Sequence, residues 1–162
     1  MRTIDGLTQG ILLKESLQKG NTISLTLTGR SMEPFIPEGS SLSVRAAHID
    51  TVRSGDIILF INKGMVIAHR LFKKVKKDGS VFLKVKADAS ASFDSLVSSD
   101  EFIGKVVSIK NGARTVSIDS PISSLCGFFI SCVTLLAGYL NLRLYAQKGK
   151  LFHRWYPFFH NL

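Results

Sequence analysis

The sequence predicts a mostly β, antiparallel domain that follows a short helix and precedes an apolar helix. Apolar segments of strand length recur between residues 21 and 119. Turn-forming sequences at residues 62–64, 78–79 and 111–112 separate successive segments, as in β-hairpins. Near the end of the chain, residues 122–142 carry no charge, and this stretch has the length of a helix rather than of a strand.

The composition favours one domain with a basic surface. A chain of 162 residues can bury a core without disulfides or a metal. Its formal net charge of +9 favours anionic partners such as membrane lipid, nucleic acid or acidic peptide. No acidic residue follows Asp119, whereas four basic residues do: Arg143, Lys148, Lys150 and Arg154.

The two cysteines and the N-terminus exclude some classes of protein. Cys126 and Cys132 match no zinc-binding spacing, so we expect both to act as small buried hydrophobes without a disulfide framework. No metal or organic cofactor is expected for the chemistry inferred below. Residues 1–5 contain no long apolar region, so we expect neither a cleavable secretory signal nor an N-terminal membrane span.

The first element is an amphipathic helix that occupies most of a segment at residues 1–20. Asp5 is a candidate N-cap and Gly20 a candidate stop. Its apolar face is expected to comprise Ile4, Leu7, Ile11, Leu12, Leu13 and Leu17. A packing helix is the first interpretation, and a helix that contacts membrane or substrate is the alternative.

The β domain is expected to cover residues 21–119. Polar and apolar residues alternate from residue 22 to residue 28, which is typical of a half-buried strand. Further strands are predicted around Leu42 and Val44 and at residues 57–61, 65–72, 81–85, 102–109 and 115–118. The serine- and alanine-rich residues 87–99 are predicted to form a loop.

The tail, residues 120–162, contains a candidate membrane helix at residues 122–142, which matches the hydrocarbon thickness of a bilayer in length. Residues 151–159 then mix aromatic and basic side chains, as interfacial anchors do. A helix packed on the sheet or on a second copy is the alternative. Single-stranded nucleic acid is considered but not predicted as a partner, because no nucleic-acid-binding fold accompanies this short segment.

A serine in a constrained turn follows the first predicted strand. Gly29 can adopt a positive φ, and Pro34 restricts both itself and Glu33, so Ser31 lies between two backbone constraints. A catalytic serine requires such a rigid position, together with a base and oxyanion donors. A polar turn without catalytic function is the alternative interpretation.

A histidine and two aspartates complete a candidate catalytic set. His69 interrupts an apolar strand, where a β-branched residue would pack better, and its ordinary pKa suits a general base. Asp88 and Asp94 lie in the next loop, and either carboxylate could orient the imidazole ring. A hydrogen-bonded core histidine and solvated turn aspartates remain the alternatives.

Together, these residues resemble the ordered motifs of the type I signal peptidases and their S24/S26 serine-peptidase relatives. The resemblance covers roughly residues 21–110. The motifs are Gly29-x-Ser31-Met32-x-Pro34, residues 54–58, residues 66–70, the pair Asp88 and Asp94, and residues 103–107. It implies a signal-peptidase/LexA-like antiparallel β domain. Because many bacterial members carry Lys where this chain has His69, it is similar to the Ser-His-Asp branch of the endoplasmic reticulum, archaea and some spore-forming bacteria.

The resemblance also implies residue roles. Ser31 would be the nucleophile, and its backbone N–H would contribute to the oxyanion hole. His69 would be the general base and Asp94 would orient it, while Asp88 supports the site and Arg70 braces the loop carboxylates. The chain departs from the family pattern at Ala87, Ala89 and Ser90, where a glycine and two asparagines are expected.

The predicted function is therefore a serine endopeptidase, a hydrolase that cleaves signal or leader peptides. Its expected partners are a precursor peptide and membrane lipid. The family's usual anchor ahead of the serine motif is missing, so we expect membrane association through the tail, with a cytoplasmic location as the alternative. Two other functions are alternatives. One is a non-catalytic leader-peptide-binding protein. The other is an S24-type self-cleaving repressor, although too few residues precede Gly29 for its helix-turn-helix domain.

Overall fold

The predicted fold class is confirmed in the computed structural model, which describes residues 6–139. Along the chain, an N-terminal helix, α1 (Gly6–Gln18), precedes one eight-stranded antiparallel sheet, and a C-terminal helix, α2 (Pro121–Tyr139), follows it. The strands are β1 (Ile23–Thr26), β2 (Ser41–Arg45), β3 (Ile57–Asn62), β4 (Met65–Lys77), β5 (Ser80–Lys86), β6 (Leu96–Val97), β7 (Phe102–Asn111) and β8 (Arg114–Ser117).

The sheet runs in the order β1-β2-β7-β3-β4-β5-β6, and β8 pairs with β7. Irregularities in register interrupt three of the pairings, between β2 and β7, β3 and β7, and β4 and β5. Such bulges bend the strand that carries them and increase its twist. In this order β3 and β4 are central, and β1 is an edge strand with one side unpaired among the described strands.

The central strand β3 is buried on both faces and divides the core into two clusters. Ile57 and Leu59 belong to a cluster with Leu17 of α1, whereas Ile58 and Phe60 belong to a second cluster. This explains why the sequence of β3 is an uninterrupted apolar run rather than an alternating one. The residue that pairs with Ile58 across the ladder is His69 of β4.

Two details of the β domain differ from the sequence-based expectation. The strand predicted at residues 65–72 extends to Lys77 and forms a longer hairpin with β5. The predicted loop at residues 87–99 contains β6, whose Val97 is buried opposite Leu83. A two-residue strand is too short to show a period, so its pairing depends on the packing of Val97.

The predicted apolar face of α1 is partly wrong. Ile11 and Leu12 are exposed, while Leu17 is buried and Leu13 packs against the same cluster. Gly10 lies on the inward side of the helix, where a Cβ atom would lie 2.4 Å from the side chain of Ile61. The candidate N-cap Asp5 lies outside the described residues, and the helix ends two residues before Gly20, which has a φ of +84°.

Helix α2 begins with an N-cap, since the Ser123 N–H donates to the Ser120 side chain at 3.1 Å and Pro121 occupies the first turn. By length and composition, the stretch Pro121–Gly138 qualifies as a candidate membrane span. The described part of the helix ends at Tyr139, so the predicted extension to residue 142 and the aromatic, basic residues 151–159 lie outside the described residues.

Candidate functional site

The turn that carries Ser31 is held from both sides. Gly29 has a φ of +88°, and its N–H donates to the Glu38 carboxylate at 2.9 Å. Met32 and Ile36 are both buried in the core, and the Ile36 N–H donates to the Met32 carbonyl at 3.0 Å. Ser31 itself is half-buried, so a core-anchored neighbour holds its backbone while its hydroxyl stays accessible.

The structure brings Ser31, His69 and Asp94 into one hydrogen-bonded chain. His69 Nε2 lies 3.2 Å from Ser31 Oγ, and His69 Nδ1 lies 2.6 Å from Asp94 Oδ2. A carboxylate only accepts, so Nδ1 carries the proton and donates to Asp94, which leaves the lone pair of Nε2 to accept from the serine hydroxyl. The His69 residue is 8% exposed, and its ring makes a T-shaped contact with Phe60 at 6.0 Å between centroids.

Asp88 has a different partner from Asp94. It is buried and accepts two hydrogen bonds from Arg70, at 2.9 Å from Nε and 2.6 Å from Nη2. Arg70 also donates from Nη1 to the Gly55 carbonyl at 3.1 Å. The planar guanidinium donates one hydrogen bond to each carboxylate oxygen, and this pair of bonds fixes the start of the loop that follows β5. Asp88 and Arg70 therefore brace the loop, and Asp94 contacts the ring.

Backbone hydrogen bonds join this loop to the serine turn and to β5. The Ala89 N–H donates to the Ser31 carbonyl at 2.9 Å, and the Asp94 N–H donates to the Val85 carbonyl at 3.0 Å. Because Ala89 acts through its backbone, this contact does not depend on the side chain that the family pattern would place there.

One buried cation near the site was not anticipated from the sequence. Lys86 is fully buried at the end of β5, and its ammonium donates to the Ala87 carbonyl at 2.7 Å. Burial lowers the pKa of Lys86, and the nearby carboxylates of Asp88 and Asp94 oppose that shift. Lys86 lies on the same side of β5 as Phe82 and Lys84, whereas the core-facing side is formed by Leu83 and Val85, so strand alternation did not indicate its burial.

A groove of about 680 Å³ opens beside the hydrogen-bonded chain, and both Ser31 and His69 line it. The other lining side chains are mostly apolar and come from α1, from β1 and its extension, from β2 and β3, and from the start of β4. They include Leu25, Leu27, Leu42, Leu59, Met65 and Val66. An extended peptide with small or apolar side chains fits such a surface, and the unpaired edge of β1 offers it backbone hydrogen bonds.

Among residues 6–139, no group of three or more metal-ligating side chains is close enough to hold an ion. The arrangement of the site is instead that of an alcohol, an imidazole and a carboxylate in series. Such a series can activate the serine for attack on a carbonyl group.

Comparison with known protein families gives a match. The Peptidase S24-like family model matches residues 3–107, which is more than half of the chain and includes the serine turn, His69 and the loop from Asp88 to Asp94. Helix α2 lies beyond the matched range. No curated protein matches the chain.

Proposed function

Because the chain belongs to the S24-like peptidase family, we propose that it is a serine endopeptidase that cleaves signal or leader peptides through Ser31, His69 and Asp94. The observation that carries this proposal is the continuous pair of contacts, 3.2 Å and 2.6 Å long, from the serine through the imidazole to the carboxylate. Histidine stands where S24-type repressors use lysine as the base, which supports the signal-peptidase branch with a Ser-His-Asp set.

The proposed reaction is acyl transfer. Ser31 Oγ attacks the scissile carbonyl carbon while His69 Nε2 takes the hydroxyl proton, and the resulting imidazolium then protonates the leaving amine. Water, activated by the same ring, releases the acyl-enzyme. Asp94 keeps the ring in the productive tautomer and stabilises its positive charge. The Ser31 N–H is the proposed donor to the developing oxyanion.

The groove supports a peptide with an apolar segment as substrate. Its lining is dominated by aliphatic side chains, and the two reactive side chains lie in the same surface. Signal and leader peptides offer apolar residues in an extended conformation, which can add a strand at the free edge of β1. Helix α2 supports a membrane-associated location for this peptidase, with membrane lipid as its second partner.

The test is cleavage of synthetic leader-type peptides by the purified chain, followed by mass spectrometry. We expect Ser31→Ala and His69→Ala to abolish turnover. The matched controls Ser99→Ala and His48→Ala alter exposed residues outside the groove and should cleave like the parent. Cleavage by Ser31→Ala at the parental rate would refute the proposed mechanism.

Two outcomes of the same experiment distinguish the alternative functions. If the parent binds the peptides without cutting them, and Ser31→Ala binds them with equal affinity, the chain is a peptide-binding relative. If the parent cuts only itself, at a site absent from the added peptides, it acts as the self-cleaving repressors do. The proposal requires multiple turnovers on added peptide.

A further inference from the structure

Helix α2 has the opposite arrangement of side chains from a helix that packs on a soluble domain. Its buried positions are small or polar and comprise Ser124, Gly127, Ser131, Thr134 and Ala137. Five of its large apolar side chains instead form an outer row that is exposed by more than half, namely Ile122, Leu125, Phe129, Val133 and Leu136, whereas Phe128, Ile130 and Leu135 are partly buried. A soluble amphipathic helix buries the large apolar side chains. The outer row therefore requires an apolar environment that the catalytic domain does not supply.

The inner face of α2 packs closely against Gly55, Asp56 and Arg70, the last of which holds the active-site loop through Asp88. The Ser124 hydroxyl donates to the buried carboxylate of Asp56 at 2.5 Å. A Cβ atom on Gly127 would lie 2.3 Å from the Gly55 carbonyl oxygen and 2.6 Å from Nη1 of Arg70, so only glycine permits this approach. Phe128 stacks on Phe72 of β4 at 5.6 Å between centroids. These contacts define the side of the helix that faces the protein.

The inner contacts extend along most of the helix. From Ser124 to Ala137 the buried positions cover about 20 Å of helix axis at ~1.5 Å per residue. A bilayer-spanning helix needs about 30 Å of hydrocarbon around it, and in this arrangement the β domain occupies one side of about two thirds of that length. A domain with exposed backbone edges and charged side chains does not enter hydrocarbon. The packing is therefore compatible with a helix that lies in the plane of the membrane surface.

We propose that α2 is an in-plane membrane-docking helix whose outer row inserts into the boundary between headgroups and acyl chains of an anionic bilayer. The inner face keeps the catalytic domain on the aqueous side. This inference deepens the membrane association proposed above and specifies its geometry, but it does not depend on peptide cleavage. A helix of this kind binds through its buried apolar area together with attraction to anionic lipid.

Lipid fits the outer row better than a second copy of the chain or a partner protein. Residues 121–139 contain no charged side chain, so the row lacks the polar rim that surrounds most protein interfaces. The sequence that follows, residues 140–162, adds four basic residues and no acidic one, together with a cluster of aromatic residues. Basic and aromatic residues next to an apolar helix favour anionic membrane surfaces.

The first experiment measures binding of the full chain to vesicles of phosphatidylglycerol and phosphatidylcholine by flotation. The triple substitution Leu125→Ser, Phe129→Ser and Val133→Ser should weaken binding by at least about 100-fold, because three large side chains leave the lipid. The matched control is Ile11→Ser with Leu12→Ser, which changes equally exposed apolar residues on α1 and should bind like the parent. Unchanged binding of the triple variant, or loss of binding in the control alone, overturns the proposal.

The second experiment measures depth and separates an in-plane helix from a spanning one. Single tryptophans replace Leu125, Phe129 or Val133 in a Trp155→Phe background, and brominated lipids report the depth of each. An in-plane helix gives the same shallow depth at all three positions. A spanning helix gives depths that differ by about 12 Å between positions 125 and 133, and this result overturns the proposal.

Two further readouts keep this proposal separate from the peptidase activity. Cleavage of a soluble leader peptide should be unchanged in the triple variant, since the outer row does not line the groove among the described residues. Absence of cleavage in every variant would refute the peptidase proposal and leave vesicle binding intact. Light scattering that shows a dimer in the parent, lost in the triple variant, without vesicle binding would identify a second copy as the occupant and refute lipid.

Discussion

Substitution of Asp94 by asparagine removes the charge next to His69 and preserves the size of the side chain. The carboxylate oxygen lies 2.6 Å from Nδ1, which places the centres of the two charges about 4 Å apart when the ring is protonated. At an effective dielectric constant of about 20, such a pair contributes about 4 kcal/mol, and the ring is charged only during the reaction. We therefore expect kcat for leader-peptide cleavage to fall by about 10³-fold. KM should change little, because Asp94 is not among the described residues that line the groove.

The assay is steady-state cleavage of a fluorogenic leader peptide, with the urea unfolding midpoint measured in parallel. Asp100→Asn is the matched control, since Asp100 is exposed and its side chain makes no contact with His69. The control should retain the parental kcat. The reasoning is refuted if Asp94→Asn retains more than about a tenth of the parental kcat while its unfolding midpoint is unchanged, because the carboxylate would then contribute almost nothing to the charged ring.

Three further predictions concern stability and packing. Asp88→Asn leaves Arg70 as an uncompensated buried cation and should destabilise the fold by about 3–5 kcal/mol in urea unfolding; an unchanged midpoint would contradict the bracing role. Gly127→Ala should expose residues 121–139 to faster hydrogen exchange, because the added methyl group would overlap with a carbonyl oxygen, and parental exchange rates would show that α2 is not packed as described. The hydrogen bond from Lys105 holds the pKa of Asp119 below its ordinary value of 3.8. Its stabilising contribution is present above that value and is lost as the pH falls through the lower native pKa, so the stability difference between the parent and Asp119→Asn should be largest near neutral pH and vanish in strong acid.

The antiparallel β domain was predictable because its signals are local. Alternation in β1, turn residues before β4 and β5, and the length of each apolar run depend only on neighbours along the chain. The features of β6 and α1 that differ from the sequence-based expectation depend on contacts with residues that are distant in the sequence. Strand β6 exists because Val97 packs opposite Leu83, and the inward face of α1 is set by the packing of Leu13 and Leu17 against the core of the sheet.

The candidate site was predictable as a set of residue types and only partly as an arrangement. The constrained turn around Ser31 and the unusual histidine in a strand are visible in short windows of sequence. Which of the two loop aspartates faces His69 is not visible there, because both lie in the same loop and have similar local preferences. The burial of Lys86 was also not visible in short windows of sequence, because it depends on the loop folding back over the end of β5.

The sequence alone determined that this protein forms short antiparallel strands and carries a serine in a rigid turn, because backbone preferences and side-chain periodicity act over a few residues. Tertiary structure decided that Asp94 contacts the imidazole while Asp88 pairs with Arg70, since sheet register and loop closure select contacts between distant residues. It also decided which side of α2 faces the domain. Hydrophobicity alone would bury the large side chains, but the space beside Gly55 admits only a glycine, and the helix turns its apolar row outward.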